Sequence, residues 1–278
     1  MKNPFVFFRK KKIGLALGSG GARGIAHFAV LDYLDSEGIE IGCISGSSIG
    51  SVVAALYCSR NYDKAKKAAF ALGKKDILML IDPVFNGRGM INGGRIIKFL
   101  EQFISKNARI EDARPNLAIA ATDYKTGKQV VFKKGNILKA IRASIAIPGV
   151  FMPASYRSKI LIDGGISNPL PIDIVKSMGA TKVIAVNLNP SLKRINESQA
   201  KFTKTKKHKP KVFEIMFKTV IMLESRITEQ MLRQHKPYVL IEPMLFDVMP
   251  FDFLKQKQAY DEGLRQCKKN KKKLLRLK

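Results

Sequence analysis

A serine between small residues is the first group in this sequence that could do chemistry. Ser48 lies in the string Gly46-Ser47-Ser48-Ile49-Gly50, between a predicted strand and a predicted helix. The pattern G-x-S-x-G in that setting is typical of a nucleophile elbow, a strained turn that exposes a serine hydroxyl. The bare string is common by chance, so the flanking strand and helix are what favour Ser48 as a nucleophile.

A glycine-rich loop comes earlier in the chain, also between a predicted strand and a predicted helix. Residues 18–24 read Gly-Ser-Gly-Gly-Ala-Arg-Gly. Glycines allow the backbone to turn tightly, and the start of the following helix adds the positive end of its dipole, so the loop is a candidate anion site. The spacing does not fit the dinucleotide fingerprint G-x-G-x-x-G, and the Gly-Lys-Ser/Thr of a P-loop is not present.

A third candidate loop, Asp163-Gly164-Gly165, follows a predicted strand. One interpretation is an ordinary Asp-Gly turn, which is a frequent structure. The other is a carboxylate that orients or deprotonates the serine. Such a base must lie within about 2.6–3.2 Å of the serine oxygen, and burial against apolar groups would raise its basicity.

The three histidines do not complete an obvious Ser-His-Asp triad. The order Ser, Asp, His would allow His208 or His235, but neither falls in an obvious loop at the carboxyl end of a predicted strand. His27 lies on the predicted helix after the glycine loop, and we expect it to be packed or to brace that loop. His208 and His235 therefore remain weak candidates for a catalytic base.

The elements that must position these loops alternate between strands and helices. The sequence predicts strands at residues 13–17, 41–44, 117–121, 129–132, 159–162, 183–188 and 239–241. It predicts helices at residues 25–38, 49–57, 63–72, 96–104, 137–144, 171–178 and 213–231, with irregular backbone over 73–93. An opening order of strand, helix, strand and helix is typical of a parallel sheet with packed helices, so we expect an α/β fold.

Composition limits the class of protein. The chain has 278 residues, of which 46% are hydrophobic, which excludes disorder throughout and predicts one large domain or two small ones. Its three cysteines are too few and too scattered for a disulfide framework or a zinc site, so we expect a reducing cytosol. No stretch approaches the roughly 20 apolar residues of a transmembrane helix, and residues 1–12 do not have the order of a secretory signal.

Basic side chains exceed acidic ones by 50 to 22, a formal net charge of +28. Most of the excess is confined to residues 1–12, 193–211 and 265–278, which carry net charges of +5, +7 and +8. Solvated segments that aid solubility are one explanation, and attraction to polyanions is the other.

Apolar side chains stand among these cations, which favours a membrane as the polyanion. They are Phe5, Phe7 and Phe8 near the start and Leu274, Leu275 and Leu277 near the end. Cations at the phosphates with apolar groups inserted beside them suit an anionic lipid surface. Nucleic acid is not the partner that we expect, because no base-reading motif is apparent.

Taken together, the three loops resemble the bacterial branch of the patatin-like phospholipases, which are serine lipid acyl hydrolases with a Ser-Asp dyad. The similarity covers roughly residues 13–190. It rests on residues 15–27, 46–50, 140–151 and 163–171. One departure is Ser19, which stands where many members have the first glycine of a triplet.

The resemblance implies a three-layer α/β/α fold with a mainly parallel central sheet. It implies that Ser48 is the nucleophile and Asp163 its base, and that the backbone N–H groups of Gly20 and Gly21 form the oxyanion hole. The supporting positions carried over from the same motifs are Gly18, Arg23 and Gly24 in the glycine loop, Gly46 and Gly50 at the elbow, and Gly164 and Gly165 beside the aspartate.

The implied activity is hydrolysis of carboxylic esters of phospholipids or lysophospholipids through an acyl-enzyme, with no metal and no cofactor. Two alternatives remain open. One is an acyltransferase on the same dyad, in which an alcohol takes the acyl group. The other is a non-catalytic, basic peripheral-membrane protein. The expected partners are the lipid substrate and an anionic membrane surface, with a cytoplasmic location on the inner membrane face; the sequence leaves the oligomeric state open.

The expected organisation has four parts. They are a basic segment at 1–12, a catalytic domain at 13–190, a Lys-rich linker at 191–210, and a C-terminal helical region at 211–278 with one late strand and a basic tail.

Overall fold

The structure is a computed structural model. It describes residues 12–84, 91–189, 212–245, 247–248 and 252–278. The predicted Lys-rich linker and, apart from Lys12, the predicted basic N-terminal segment lie outside the described residues.

Eight strands of the described chain form one sheet. They are β1 Ile13–Leu17, β2 Cys43–Ser47, β3 Asn116–Asp123, β4 Gln129–Phe132, β5 Ala154–Tyr156, β6 Lys159–Ile162, β7 Lys182–Val186 and β8 Val239–Ile241. The order across the sheet is β5-β6-β3-β2-β1-β7-β8, with β4 also paired to β3. Parallel pairing joins β3, β2, β1, β7 and β8. Antiparallel pairing adds β4, β6 and β5 at the β3 edge.

Helices connect the strands and cover the sheet. They are α1 Ile25–Ser36, α2 Ile49–Tyr57, α3 Tyr62–Ala71, α4 Lys74–Leu80, α5 Gly94–Leu100, α6 Ile137–Ser144, α7 Ile172–Ser177, α8 Val212–His235, α9 Gln256–Lys269 and α10 Lys271–Leu275. The predicted α/β fold with a mainly parallel central sheet is confirmed. No described helix combines the length and the apolar composition that crossing a bilayer requires.

The two faces of the sheet bury different side chains. Leu15 and Leu17 of β1 belong to a large apolar cluster with α1, α2 and α6. Ala16, between them, lies on the opposite face with Ile172 and Val175 of α7. Because successive strand residues point to opposite faces, this alternation produces a layer of helices on each side. The central strands are therefore fixed on both faces and present their loops at their carboxyl ends.

One predicted irregular segment is helical. We expected no regular structure over residues 73–93, but α4 begins at Lys74, where the Asp76 side chain accepts a hydrogen bond of 2.8 Å from the Gly73 backbone N–H. The helix escapes prediction because it buries no side chain, so it lacks the apolar stripe from which helices are recognised. Two of its four large apolar side chains, Leu78 and Met79, are 66% and 62% exposed.

The predicted basic tail is also helical, and it is packed. Helix α9 lies against α1, and α10 follows it. Leu274 and Leu277 are 0% and 3% exposed, so the prediction that these leucines insert into a membrane is wrong. The apolar side chains between the lysines complete the core, and the lysines lie outside it.

The C-terminal region also belongs to the main sheet. Strand β8 pairs in parallel with β7, and the long helix α8 contacts α7 and the short 3-10 turn Gly164–Ile166. The sheet therefore continues past residue 190, where the similarity was expected to end.

Close packing of α9 on α1 gives the first testable prediction. A Cβ atom at Gly263 would lie 2.8 Å from the carbonyl oxygen of Ala26 and 2.9 Å from Cβ of Ala29. We expect Gly263→Val to lower the free energy of unfolding by about 1–3 kcal/mol, because the added atoms force the helices apart. Urea denaturation measures this loss.

The matched control is Gln258→Val, at an exposed position of the same helix. It carries only the helix-propensity cost of a β-branched residue, below about 0.7 kcal/mol. Equal losses in the two variants would mean that α9 does not depend on its approach to α1.

Candidate active site

Ser48 lies at the turn between β2 and α2, as the elbow pattern predicts. Its backbone has φ 51° and ψ −125°, a conformation that costs a non-glycine residue about 1–3 kcal/mol. Hydrogen bonds hold the turn in place. The Ser48 backbone N–H donates to Ser144 Oγ over 2.9 Å, and Ser51 Oγ donates to the Ser48 carbonyl oxygen over 2.6 Å. The strained turn is thus fixed by α6 on one side and by α2 on the other.

Glycines make the elbow possible because backbone packs directly against backbone there. A Cβ atom at Gly46 would lie 2.2 Å from the carbonyl oxygen of Gly50, and one at Gly50 would lie 2.2 Å from that of Leu17. At Gly24, the end of the glycine loop, a Cβ atom would lie 2.2 Å from Cγ1 of Ile49. These contacts bring the elbow and the glycine loop together.

Asp163 lies beside Ser48, at the end of β6. Ser48 Oγ donates a hydrogen bond of 2.7 Å to Asp163 Oδ2. The other carboxyl oxygen, Oδ1, accepts a bond of 2.7 Å from the Gly165 backbone N–H. Thr122 Oγ1 of β3 donates to the Asp163 carbonyl oxygen, also over 2.7 Å. A Cβ atom at Gly164 would lie 2.4 Å from the Ala120 carbonyl oxygen, so this glycine lets the turn approach β3.

The environment of Asp163 changes its proton affinity. The side chain is 1% exposed, and burial, followed by the nearby negative charge of Glu224, raises the pKa of Asp163 to about 8. The hydrogen bonds from Ser48 and Gly165 act in the opposite direction. A carboxylate with a pKa this high is a far stronger base than an ordinary aspartate.

The glycine loop faces the same serine. The backbone N–H groups of Gly18 and Ser19 donate to the carbonyl oxygens of Val186 and Pro169 over 3.0 and 2.8 Å. Gly20 and Gly21 line the pocket that contains Ser48, and their N–H groups donate no backbone hydrogen bond within the described residues. The loop therefore leaves these two amides available to a ligand.

Arg23 links the glycine loop to later parts of the chain through hydrogen bonds. Its Nε donates to the Val248 carbonyl oxygen over 2.8 Å, and Nη1 donates to that of Leu188 over 3.4 Å. Burial lowers the pKa of Arg23 to about 10, and Glu224 opposes that shift. The guanidinium is thus a structural tie between the glycine loop and the chain around β7 and β8.

The histidines take no direct part in this site. His27 is buried, and its Nε2 hydrogen-bonds the carbonyl oxygen of Gly18 over 2.9 Å. Burial lowers the pKa of His27 to about 4, so the ring is neutral at pH 7 and braces the loop by donating that bond. His235 is the last residue of α8 and does not line the pocket, and His208 lies outside the described residues.

These groups meet in one small cavity of about 30 Å³, enough for a water molecule. Its lining is formed by Ser19, Gly20, Gly21, Ser48, Ile147, Asp163, Ile166, Asn189, Val220, Ile221 and Glu224. In the part of the chain that the structure describes, no group of three or more His, Cys, Asp or Glu side chains could hold a metal ion.

The family model described as patatin-like phospholipase matches residues 15–176 of this sequence. The chain belongs to the patatin-like phospholipase family. The match contains the glycine loop, the elbow and the Asp163 turn, which are the three loops that the structure brings into one cavity.

Relatives include an uncharacterised NTE family protein of Mycobacterium tuberculosis (strain ATCC 25618 / H37Rv). It is 39% identical over 180 residues, which are 65% of this chain and 50% of the relative, so the chain spans about half the relative's length. Patatin-like phospholipase domain-containing protein 6 of Mus musculus is 31% identical over 182 residues, 63% of this chain and 13% of the relative. The crystal structure of VipD from Legionella pneumophila gives a TM-score of 0.46 at 12% identity, covering 94% of this patatin-like chain and 67% of that one.

Two polar residues of the cavity were not predicted from the sequence. Glu224 comes from α8, and Asn189 follows β7; both are buried. The available signal was an acidic residue four positions after Val220, within the predicted apolar stripe of α8. The predicted stripe is defined by its apolar members alone, so it does not indicate the acidic residue on its inner side.

The buried carboxyl of Asp163 predicts a pH-dependent stability. Because its pKa is raised in the folded state, the folded chain holds this proton more tightly than the unfolded chain does. Stability is therefore lost as the pH rises from the ordinary aspartate value of about 4 through about 8. Asp163→Asn cannot ionise, so its Tm relative to the parent chain should increase steadily from about pH 5 to about pH 8.

Asp123→Asn is the control with the opposite sign. The side-chain bond to Lys159 lowers the pKa of Asp123, so its carboxylate stabilises the fold above the ordinary aspartate value and its loss should lower Tm at neutral pH. A Tm difference for Asp163→Asn that does not change with pH would contradict a proton-retaining Asp163.

Proposed function

We propose that this patatin-like chain hydrolyses carboxylic esters of phospholipids or lysophospholipids through an acyl-enzyme on Ser48. The observation that carries the proposal is the 2.7 Å hydrogen bond from Ser48 Oγ to the buried Asp163 carboxylate, in a cavity faced by the available amides of Gly20 and Gly21. Membership of the patatin-like phospholipase family supports a lipid ester as the substrate.

The first half of the reaction forms the acyl-enzyme. Ser48 Oγ attacks the ester carbonyl carbon while Asp163 Oδ2 accepts the serine proton. The negative charge that develops on the carbonyl oxygen is stabilised by the N–H groups of Gly20 and Gly21. The carbon–oxygen bond to the leaving alcohol then breaks, and the alcohol leaves with the proton that Asp163 received.

The second half releases the fatty acid. A water molecule attacks the acyl carbonyl and gives its proton to Asp163, and the same two amides stabilise the second oxyanion. When the bond to Ser48 Oγ breaks, the serine recovers a proton from Asp163 and the fatty acid departs. In each half Asp163 first accepts a proton from the nucleophile and then gives one to the leaving group, which suits a carboxylate whose pKa lies at about 8.

We further propose that an anionic membrane is the surface on which this reaction takes place. The outer face of α8, defined as Ile215, Met216, Met222 and Leu223, exposes 39–53% of each side chain. These residues recur at a spacing of seven on one side of the helix, and the basic residues Lys218 and Arg226 are exposed beside them.

The position of this face supports a lipid surface as its partner. Val220, Ile221 and Glu224, on the inner side of α8, line the cavity that holds Ser48, so the helix separates the dyad from the outside. The segment 193–211, with a net charge of +7, immediately precedes α8 in the sequence. Apolar groups with cations beside them fit a bilayer with anionic headgroups. We propose that this surface is the inner, cytoplasmic face of the membrane.

Loss of either dyad residue tests the hydrolase. We expect Ser48→Ala and Asp163→Asn each to lower hydrolysis of a short, water-soluble ester at least about 10³-fold, because the nucleophile or its base is lost. His235→Ala should keep most of the activity. A fluorophosphonate probe should label Ser48 in the parent chain, as mapped by mass spectrometry of the peptide.

Two outcomes would contradict this assignment. A His235→Ala variant as inactive as Ser48→Ala would replace the dyad with a triad. Acyl transfer to an added alcohol that outpaces release of free fatty acid would make the chain an acyltransferase.

Vesicle binding tests the outer face of α8. We expect Ile215→Gln/Leu223→Gln to weaken binding to phosphatidylglycerol vesicles at least about tenfold, because two apolar side chains no longer enter the lipid. Hydrolysis of the water-soluble ester should not change, which separates docking from catalysis.

The matched control is Leu254→Gln, at a 44% exposed position outside α8. It removes a comparable apolar side chain and should bind vesicles like the parent chain. Undiminished binding by the double variant, or equal binding to phosphatidylcholine at low and high salt, would exclude this face as the anionic-lipid surface.

A further inference from the structure

Glu224 is a buried acid that the proposed reaction does not use. It is 8% exposed and projects from the inner side of α8 into the cavity. Its Oε2 accepts hydrogen bonds from Ser19 Oγ over 2.7 Å and from Asn189 Nδ2 over 2.6 Å. Asn189 Nδ2 also donates to Ser19 Oγ over 2.9 Å. These three side chains close a polar triangle that joins α8, the glycine loop and the chain after β7.

Ser19 gives this triangle its place in the site. The residue follows Gly18 and precedes Gly20 and Gly21, whose amides are the proposed oxyanion donors. The Ser19 backbone N–H donates to the Pro169 carbonyl oxygen, and the Ser19 hydroxyl donates to the Glu224 carboxylate. The residue immediately before the two donors is thus fixed at both its backbone and its side chain, so a shift of Glu224 would move the loop that carries them.

The other oxygen of Glu224 lies close to the dyad. A Cβ atom placed on Gly165 would lie 2.2 Å from Glu224 Oε1 and 3.0 Å from Asp163 Oδ1. The two carboxyl groups are therefore neighbours across the space that Gly165 leaves free. Ser48 donates its hydrogen bond to Oδ2 of Asp163. Glu224 lies on the side of the other aspartate oxygen, Oδ1, and so does not compete with the serine.

Two buried carboxyl groups this close affect each other's ionisation. Arg23 and Asp163 are the charged groups of the described chain that act on Glu224. Helix α7, which packs against α8, carries two further charged residues. The Asp173 carboxylate accepts a hydrogen bond from Asn168 Nδ2, and the Lys176 side chain is exposed. When Glu224 is ionised, its charge opposes the ionisation of Asp163 and makes that carboxylate a better proton acceptor.

We propose that Glu224 is a positioning residue of this esterase site, which holds the oxyanion loop through Ser19 and Asn189 and tunes the base strength of Asp163. The inference rests on the proposed hydrolase function. It makes α8 a part of the active site, since the helix contributes an acid that contacts the glycine loop and lies beside Asp163.

The pH profile of Glu224→Gln tests this role. The amide keeps the size of the side chain and removes its charge, so Asp163 ionises more easily. With a water-soluble ester, we expect the acidic limb of kcat/KM to move to lower pH by about one unit. We also expect kcat on the plateau to fall at least about tenfold, because the triangle is weakened and the base is less basic.

Glu229→Gln is the matched control, because it makes the same change of charge five residues further along α8 and outside the cavity. Neither the limb nor the plateau should move in that variant. If Glu224→Gln folds poorly, Asn189→Ala supplies the same measurement. Loss of a donor to the Glu224 carboxylate raises the pKa of Glu224, so Asp163 again ionises more easily and the limb moves in the same direction.

The outcomes are distinct. A profile of Glu224→Gln that superimposes on that of the folded parent chain would overturn the proposal. A plateau above that of the parent chain would also overturn it, because α8 would then act as a cover over the dyad. A parent chain that neither hydrolyses the ester nor reacts with fluorophosphonate at Ser48 would instead overturn the proposed hydrolase.

Discussion

The hydrogen bond between Ser48 Oγ and Asp163 Oδ2 joins a strained serine to a buried carboxyl group. Both are unfavourable by themselves, and the rest of the fold keeps them in contact. The serine has a backbone conformation that costs about 1–3 kcal/mol, and the aspartate has lost its water. Neither arrangement would persist on an isolated loop. Both follow rigid strands, β2 and β6, whose separation is set by β3 between them. The sheet thus fixes the distance on which proton transfer depends.

Small residues transmit that rigidity into the site. Glycines at the elbow, at the glycine loop and beside Asp163 stand where a Cβ atom would meet backbone or a neighbouring side chain. Each allows a loop to approach its neighbour closely, and close packing leaves little room for the loops to shift. The cavity that they enclose is small, about 30 Å³. Burial raises the pKa of Asp163, and the charge of a second buried carboxyl, Glu224, raises it further.

Local patterns were sufficient to predict most of the sheet and all three loops, because apolar runs followed by glycine, serine or aspartate record both the strand and its exit turn. Features that depend on distant contacts could not be read this way. Glu224 reaches the site only because α8 returns over it, 176 positions after Ser48 in the sequence. The lysines of α9 and α10 dominated the composition of the chain's end and concealed Leu274 and Leu277, which complete the core. Helix α4 buries nothing and so left no pattern to detect.

Strand β7 pairs with β1, and β8 pairs with β7. A fragment of this chain that folds must therefore extend past both strands. The match to the family model stops at residue 176, which lies before β7 begins. A fragment cut there would leave one long edge of β1 open, with unpaired backbone groups that invite association between copies. It would also lack the Val248 and Leu188 carbonyl oxygens that receive Arg23. The smallest self-contained unit is therefore larger than the matched segment, because described residues after 176 complete the sheet and supply the carbonyl oxygens that accept hydrogen bonds from Arg23.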